Sequence, residues 1–178
     1  MSNSSNFIFK ALYIVAWIIF VGLSIEAGGL IVNFVFSVYK PEFVPYLYQK
    51  LDLSAMYSRS QWAFFGMYTF ILAIAMLKAW LFYVVIELVG KLDLAKPFSS
   101  FVSKKIMRIS ILILDIGVLS LVARQSAKNL LHHGYETDEL NRFWVDGEAY
   151  ILMAAVVYII AIIFKKGIEL QNENDLTI

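Results

Sequence analysis

Four long apolar stretches dominate the sequence and leave little choice of fold. The hydrocarbon core of a bilayer is about 30 Å thick, so a spanning helix needs about 20 apolar residues. Each stretch contains at most two charged residues, and they cover residues 11–39, 62–86, 106–123 and 149–164. The sequence therefore predicts an all-α integral membrane protein, with four transmembrane helices in an up-down bundle that forms a single domain over residues 1–178.

Composition supports this class and removes others. The hydrophobic fraction is 60% and the charged fraction 16%, against roughly 45–50% and about 25% in soluble globular domains. A soluble core of this size could not bury so much apolar surface. The chain has no cysteine, which excludes disulfides, thiolate metal sites and iron–sulfur clusters. A net charge of +1 does not favour direct nucleic-acid binding.

Lysine and arginine residues near the span ends favour a topology with both termini in the cytoplasm. Cations accumulate on the cytoplasmic side of membrane proteins, and this topology places the larger share of them there. The residues on that side would be Lys10, Lys91, Lys96, Lys104, Lys105, Arg108, Lys165 and Lys166. The tail, residues 167–178, would then extend into the cytoplasm.

Three ionisable residues fall within the spans, where charges are rare and usually face the interior of a bundle. From the helical rise, Lys78 lies about 12 Å and Asp115 about 14 Å from the inner ends of their spans. Because an isolated charge costs several kcal/mol at such depths, we expect a direct or water-bridged pair between them. Glu26, about 22 Å from the inner end, lies too far outward to join directly.

This set of charges has a structural and a functional interpretation. In the structural one, the pair selects which helices are neighbours and in what register. In the functional one, the charges form a proton or ion relay or a polar ligand pocket. One pair and one distant acid do not make a continuous path, so the structural interpretation is favoured.

Glycine and proline residues predict local features of the helices. Gly22, Gly28 and Gly29 in the first span favour close approach of a neighbouring helix. Gly28 and Gly29 are also the natural place for a bend. Pro97 suits the first turn of the helix that leads into the third span.

Residues that would carry catalysis or bind a cofactor are not found in a recognisable pattern. The two histidines, His132 and His133, lie in a predicted loop, whereas a membrane b-type haem needs histidines within the helices. They are adjacent, and no third ligand stands at a metal-binding spacing. Phosphate-binding, serine-nucleophile and zinc-protease motifs are not present. The sequence therefore predicts a protein that is not an enzyme and that needs no cofactor or metal.

Two short motifs carry a resemblance to a known family. The chain ends in KKGIELQNENDLTI, residues 165–178, and KPFS at residues 96–99 precedes the third span. Both motifs, and the four-span layout, resemble the bacterial membrane family known as domain of unknown function 2975. The resemblance implies the bacterial inner membrane and no established activity. In this family the gene often lies beside one for a small helix-turn-helix DNA-binding regulator, which implies a membrane protein that senses a signal and holds or releases that regulator.

On this basis the leading hypothesis is a non-enzymatic membrane regulator or sensor that binds a cytoplasmic protein partner. The residues expected to form the docking face are Lys96, Pro97, Phe98, Glu169, Asn172, Glu173, Asn174 and Asp175. Two alternatives stay open at this point: a small transporter or channel component that uses the intramembrane charges, and an accessory subunit of a larger membrane complex. A homo-oligomer is compatible with each hypothesis.

Overall fold

A computed structural model describes residues 3–40, 42, 44, 51–93 and 97–175, and these form a helical bundle. Four of the helices among the described residues are long and apolar enough to cross a membrane. The fold class predicted from the sequence is therefore confirmed, and the chain is a multi-pass membrane protein. The helices are α1 (Asn3–Tyr39), α2 (Ser54–Arg59), α3 (Gln61–Lys91), α4 (Ser100–His132) and α5 (Gly147–Asp175), with a 3-10 helix at Asp138–Phe143.

The helices differ from the predicted spans and their local features in three ways. α1 is one continuous helix through Gly28 and Gly29. α5 continues past the predicted fourth span as far as Asp175, so the described part of the predicted tail is helical. α4 begins at Ser100 because the Ser99 hydroxyl accepts a hydrogen bond of 3.3 Å from the Val102 amide and caps the helix. Pro97 precedes this cap, so its predicted place in the first turn is wrong.

The four long helices are arranged in the order α1, α3, α4, α5. α3 packs between α1 and α4, and α5 packs on the other side of α4, while α1 and α5 have at most marginal contact. Burial follows this order: 33% and 39% of the most apolar segments of α3 and α4 are buried, against 6% for α1 and 17% for α5. α1 and α5 are therefore the outer helices, and they do not close the bundle by packing against each other.

α4 and α5 approach each other closely along a line of small residues, which we call the α4–α5 seam: Ser110, Gly117, Gly147 and Ala154. A Cβ atom added to Gly117 would lie 2.7 Å from Ile151 Cγ1 and 3.0 Å from the Ile151 backbone nitrogen. The Ser110 hydroxyl donates a hydrogen bond of 3.0 Å to the Ala154 carbonyl. Both pairs of small residues are spaced by seven, which keeps them on one face of each helix.

Two of the glycines singled out in the first span, Gly22 and Gly28, do not act in this way. A Cβ atom added to Gly22 or Gly28 would meet no described atom within 4 Å. Close approach of α4 and α5 depends on Gly117 and Gly147, and the prediction for Gly22 and Gly28 is wrong. The sequence shows which glycines lie in spans, but it does not show which of them face a neighbouring helix.

The two connections at the α3 N-terminal end of the bundle pack into an apolar cap. One connection contains α2 and the other contains the 3-10 helix. The buried side chains of this cap are Leu51, Leu53, Met56, Leu140, Phe143 and Trp144. Arg59 links the connections: its guanidinium donates a hydrogen bond of 2.7 Å to the His133 carbonyl and another to the Gly134 carbonyl. The same group lies 4.3 Å from the centroid of the Tyr135 ring.

Candidate docking surface beside the α3–α4 connection

The connection between α3 and α4 contacts the last turns of α5. The ring centroids of Phe98 and Phe164 are 5.3 Å apart. A Cβ atom added to Gly167 would lie 2.8 Å from Phe98 Cδ1, so Phe98 packs against bare backbone at that position. Two motifs that are far apart in the sequence therefore meet in one place. We call this the loop–tail surface, formed by Phe98, Lys104, Phe164, Lys165, Gly167 and Glu169.

Charged side chains surround the aromatic contact. A groove of about 290 Å³ runs between α4 and α5 and is lined by Ser100, Ser103, Lys104, Lys165, Ile168 and Glu169. The Lys166 ammonium lies 2.7 Å from the Glu169 carboxylate, one turn along the same helix. Phe98 itself remains 43% exposed. A partly exposed aromatic ring with a charged rim is the arrangement that protein interfaces use for an anchor and its surroundings.

Of the other residues predicted for the docking face, Pro97, Asn172 and Glu173 are described together with their side chains. Pro97 immediately precedes Phe98 and is half-buried. Asn172 and Glu173 are exposed on the last turns of α5. Asn174 and Asp175 end the helix, and their side chains lie outside the described part of the chain, as does Lys96 altogether. No pattern in the sequence indicates that Gly167 and Phe164 are contacts of Phe98.

Lys78 and Asp115 do not form the predicted direct ion pair. The ion pairs of the described residues do not include one between them. Lys78 Nζ instead lies 5.8 Å from the centroid of the Tyr150 ring on α5. Asp115 is exposed, on the same face of α4 as Arg108 and Ile111. Lys78 is therefore directed toward α5, whereas Asp115 lines the groove between α3 and α4, and the expectation of direct contact is wrong. A water-bridged link between them stays a prediction.

Glu26 is the first of four residues at helical spacing on the face of α1 that packs on α3. Leu30, Asn33 and Ser37 follow it at helical spacing. The Tyr68 hydroxyl of α3 donates a hydrogen bond of 3.1 Å to the Leu30 carbonyl. Ser37 is fully buried and its hydroxyl donates to the Asn33 carbonyl at 2.8 Å. Asn33 and Ser37 carry no charge, so a search of the spans for ionisable residues does not find them.

The two histidines lie at the end of α4. His133 Nδ1 is 2.8 Å from the Asn129 carbonyl, and the His133 carbonyl accepts the hydrogen bond from Arg59 described above. Within the described residues there is no group of three or more His, Cys, Asp or Glu residues that could hold a metal ion. The contacts of His133 join the two connections of the apolar cap.

No family model, curated protein or solved structure matches this chain. The resemblance to the family known as domain of unknown function 2975 therefore stays a prediction.

Proposed function

We propose that this chain is a non-enzymatic membrane regulator or sensor that holds a cytoplasmic protein partner on the loop–tail surface. The observation that carries the proposal is the contact of Phe98 with Phe164 and Gly167. It joins the α3–α4 connection and the end of α5 into a single surface with a partly exposed aromatic ring. Such a ring in a charged rim provides the buried anchor on which protein interfaces depend most.

The proposed location is the inner membrane of a bacterium, with both termini in the cytoplasm. Support comes from the cations at the loop–tail end of the bundle, which include Lys91, Lys104, Lys105 and Lys165. Short connections rich in lysine are typical of the cytoplasmic side. With this orientation, α5 presents its last turns to the cytoplasm.

The first partner to test is a small helix-turn-helix regulator, which the family resemblance implies. In this proposal the regulator is released from the membrane to reach DNA, and the membrane chain itself does not bind nucleic acid. A change in the packing of Phe98 on α5 would alter the anchor, and it would therefore change the affinity for the partner. Gly167 lies on α5, the helix that also carries Gly147 and Ala154 of the α4–α5 seam.

Cross-linking in native membranes followed by purification of the tagged full-length chain tests the proposal. Phe98→Ala removes the anchor, and Gly167→Leu displaces it, because a side chain at residue 167 must occupy the position of the Phe98 ring. We expect both variants to recover at least about tenfold less partner, the effect typical of a central interface residue. The matched control is Trp62→Ala, which removes an aromatic ring that is 89% exposed at the other end of the bundle.

Equal recovery from Phe98→Ala, Gly167→Leu and the wild-type chain would contradict docking at this surface. Equal losses in Trp62→Ala and Phe98→Ala would show that any exposed aromatic ring has this effect. The amount of each variant in the membrane and its thermal unfolding in detergent must match the wild type before recovery is compared.

A second candidate function is a small transporter or channel component. It is favoured by the placement of Glu26, Lys78 and Asp115 on three different spanning helices. Proton and ion flux into liposomes containing the wild-type chain or Lys78→Met separates the candidates. Flux that disappears in Lys78→Met would support transport, whereas the regulator proposal requires that the two proteins show the same flux.

A further inference from the structure

A second groove lies between α3 and α4, on the side of the bundle that faces lipid. Its volume is about 420 Å³, and it contains two cations, one acid and an aromatic ring among apolar side chains. We call it the α3–α4 groove and define it by Leu77, Trp80, Lys104, Arg108, Ile111 and Asp115. It opens beside the first turns of α4, close to the end of the bundle that carries the loop–tail surface.

The two cations at the mouth of this groove are not paired with a carboxylate among the described residues. Lys104 and Arg108 are one turn apart on α4, both exposed, and neither forms an ion pair with a described acidic residue. The Glu87 carboxylate attracts Arg108, but it is engaged by Lys105 and also approached by Lys91. The mouth of the α3–α4 groove therefore offers positive charge to an anion.

The aromatic ring fixes the orientation of one of these cations. The Arg108 guanidinium lies 4.9 Å from the centroid of the Trp80 ring, within the range of a cation–π contact. Trp80 is 47% exposed, and tryptophan prefers the headgroup level of a bilayer. Arg108 is thus held beside Trp80 in the first turns of α4, and its exposed guanidinium can extend toward the headgroups to meet a lipid phosphate.

The deeper part of the groove has a different character. Leu77 and Ile111 line its wall, and Ile111 is 50% exposed. Asp115 lies seven residues beyond Arg108, about 10 Å deeper along the helix axis. Its carboxylate disfavours an anion at that depth, so a phosphate is restricted to the mouth while an uncharged chain can follow the wall.

We propose that the α3–α4 groove binds an anionic phospholipid. The phosphate contacts Lys104 and Arg108 at the mouth, and an acyl chain lies along Leu77 and Ile111. Basic pockets between spanning helices recognise anionic headgroups in this way. A phospholipid fits better than free phosphate because the groove continues as an apolar wall that a small anion would leave uncovered.

Lipid titration of the delipidated full-length chain, followed by native mass spectrometry, tests the proposal. The probes are phosphatidylglycerol and phosphatidylcholine with the same acyl chains. Lys104→Gln combined with Arg108→Gln removes both cations at the mouth, and Lys10→Gln combined with Lys91→Gln removes two cations elsewhere at the same end of the bundle. We expect the first double variant to bind phosphatidylglycerol about tenfold or more weakly, and the second to bind it as the wild type does.

Two further measurements address the apolar wall and the source of the phosphate. Ile111→Trp fills the groove without changing charge and should also weaken phosphatidylglycerol binding, which keeps the proposal testable if the double variant does not fold. Glycerol phosphate, which has the headgroup chemistry but no acyl chain, should not displace the lipid. Equal weakening in both double variants, equal binding of the two lipids, or displacement by glycerol phosphate would each overturn the proposal.

Discussion

The α4–α5 seam and the contact between α1 and α3 join helices by different means. At the seam, Gly117 and Gly147 bring backbone against backbone, and a hydroxyl of one helix bonds a carbonyl of the other. Between α1 and α3 aromatic rings pack together. The centroid of the Phe34 ring lies 5.6 Å from the ring centroids of both Phe65 and Tyr68. Because lipid is as apolar as a leucine side chain, close packing and hydrogen bonds hold membrane helices together. The seam uses both, whereas the α1–α3 contact combines one such hydrogen bond, from the Tyr68 hydroxyl to the Leu30 carbonyl, with aromatic side chains that fill a wider space.

The largest expected effect follows from enlarging a glycine at the seam. Gly117→Leu places atoms where the Ile151 backbone nitrogen is only 3.0 Å away, so the helices must separate. We expect the free energy of unfolding to fall by about 3 kcal/mol, at the upper end of overpacking effects, measured by unfolding in detergent. Gly28→Leu is the matched control, since a Cβ there meets no described atom within 4 Å. Similar losses in the two variants would refute the special role of the seam.

A smaller loss is expected at the aromatic contact. Phe34→Ala removes the ring that lies between Phe65 and Tyr68, but this ring is only partly buried. We expect a loss of about 2 kcal/mol, below the 3–5 kcal/mol of a fully buried phenylalanine. Phe34→Leu should recover part of it by filling the space. A full loss in Phe34→Leu would mean that the ring geometry, and not its volume, holds α1 to α3.

The hydrogen bond across the seam should contribute less than the close approach. Ser110→Ala removes the donor to the Ala154 carbonyl, and a bond of this kind between spanning helices contributes about 0.6 kcal/mol on average. Thr69→Ala is the control, because the Thr69 hydroxyl bonds the Phe65 carbonyl of its own helix. We expect the unfolding temperature in detergent to fall in Ser110→Ala and not in Thr69→Ala. An equal fall in both variants would show that the bond across the seam contributes no more than a bond within one helix.

The smallest effect concerns Asp52, which precedes α2 and therefore lies beside the α1–α3 half of the molecule. The Ser54 hydroxyl and amide donate to its carboxylate at 2.6 and 3.0 Å and lower its pKa from the usual value. The contribution of a carboxyl with a lowered pKa is complete above its unfolded pKa, about 4, and is lost as the pH falls through the folded pKa. Asp52→Ala should cost about 0.5 kcal/mol at neutral pH.

This last difference should begin to shrink as the pH falls below the unfolded pKa of about 4, and it should disappear only once the pH is below the lowered folded pKa, where the folded carboxyl is protonated as well. The measurement is thermal unfolding of the wild type and Asp52→Ala at a series of pH values. Glu136→Ala, which changes an exposed acid on the other connection, serves as the control. A difference between wild type and Asp52→Ala that persists at low pH would show that the hydrogen bonds do not depend on the charge.

The spans could be predicted from the sequence, but the contacts of the candidate site could not. Phe98 and the end of the chain were assigned to one docking face through a resemblance of motifs, and the position of Phe98 on Gly167 required the fold. Lys78 and Asp115 were expected to form a direct or water-bridged pair because charges in lipid need partners. Lys78 Nζ instead lies 5.8 Å from the centroid of the Tyr150 ring on α5, and Asp115 lines the α3–α4 groove. Hydropathy and helical rise give the depth of a residue but not the direction in which it points.

The sequence by itself determined that this protein crosses a membrane as four helices, since only helices satisfy the backbone hydrogen bonds of long apolar segments in lipid. The tertiary structure alone decided which helices are neighbours and which faces meet. Each spanning helix is apolar on nearly every side, so burial supplies no preference for one face over another. The choice instead depends on a few small or polar residues, such as Gly117 and Ser110, whose importance becomes visible only beside the helix that they contact.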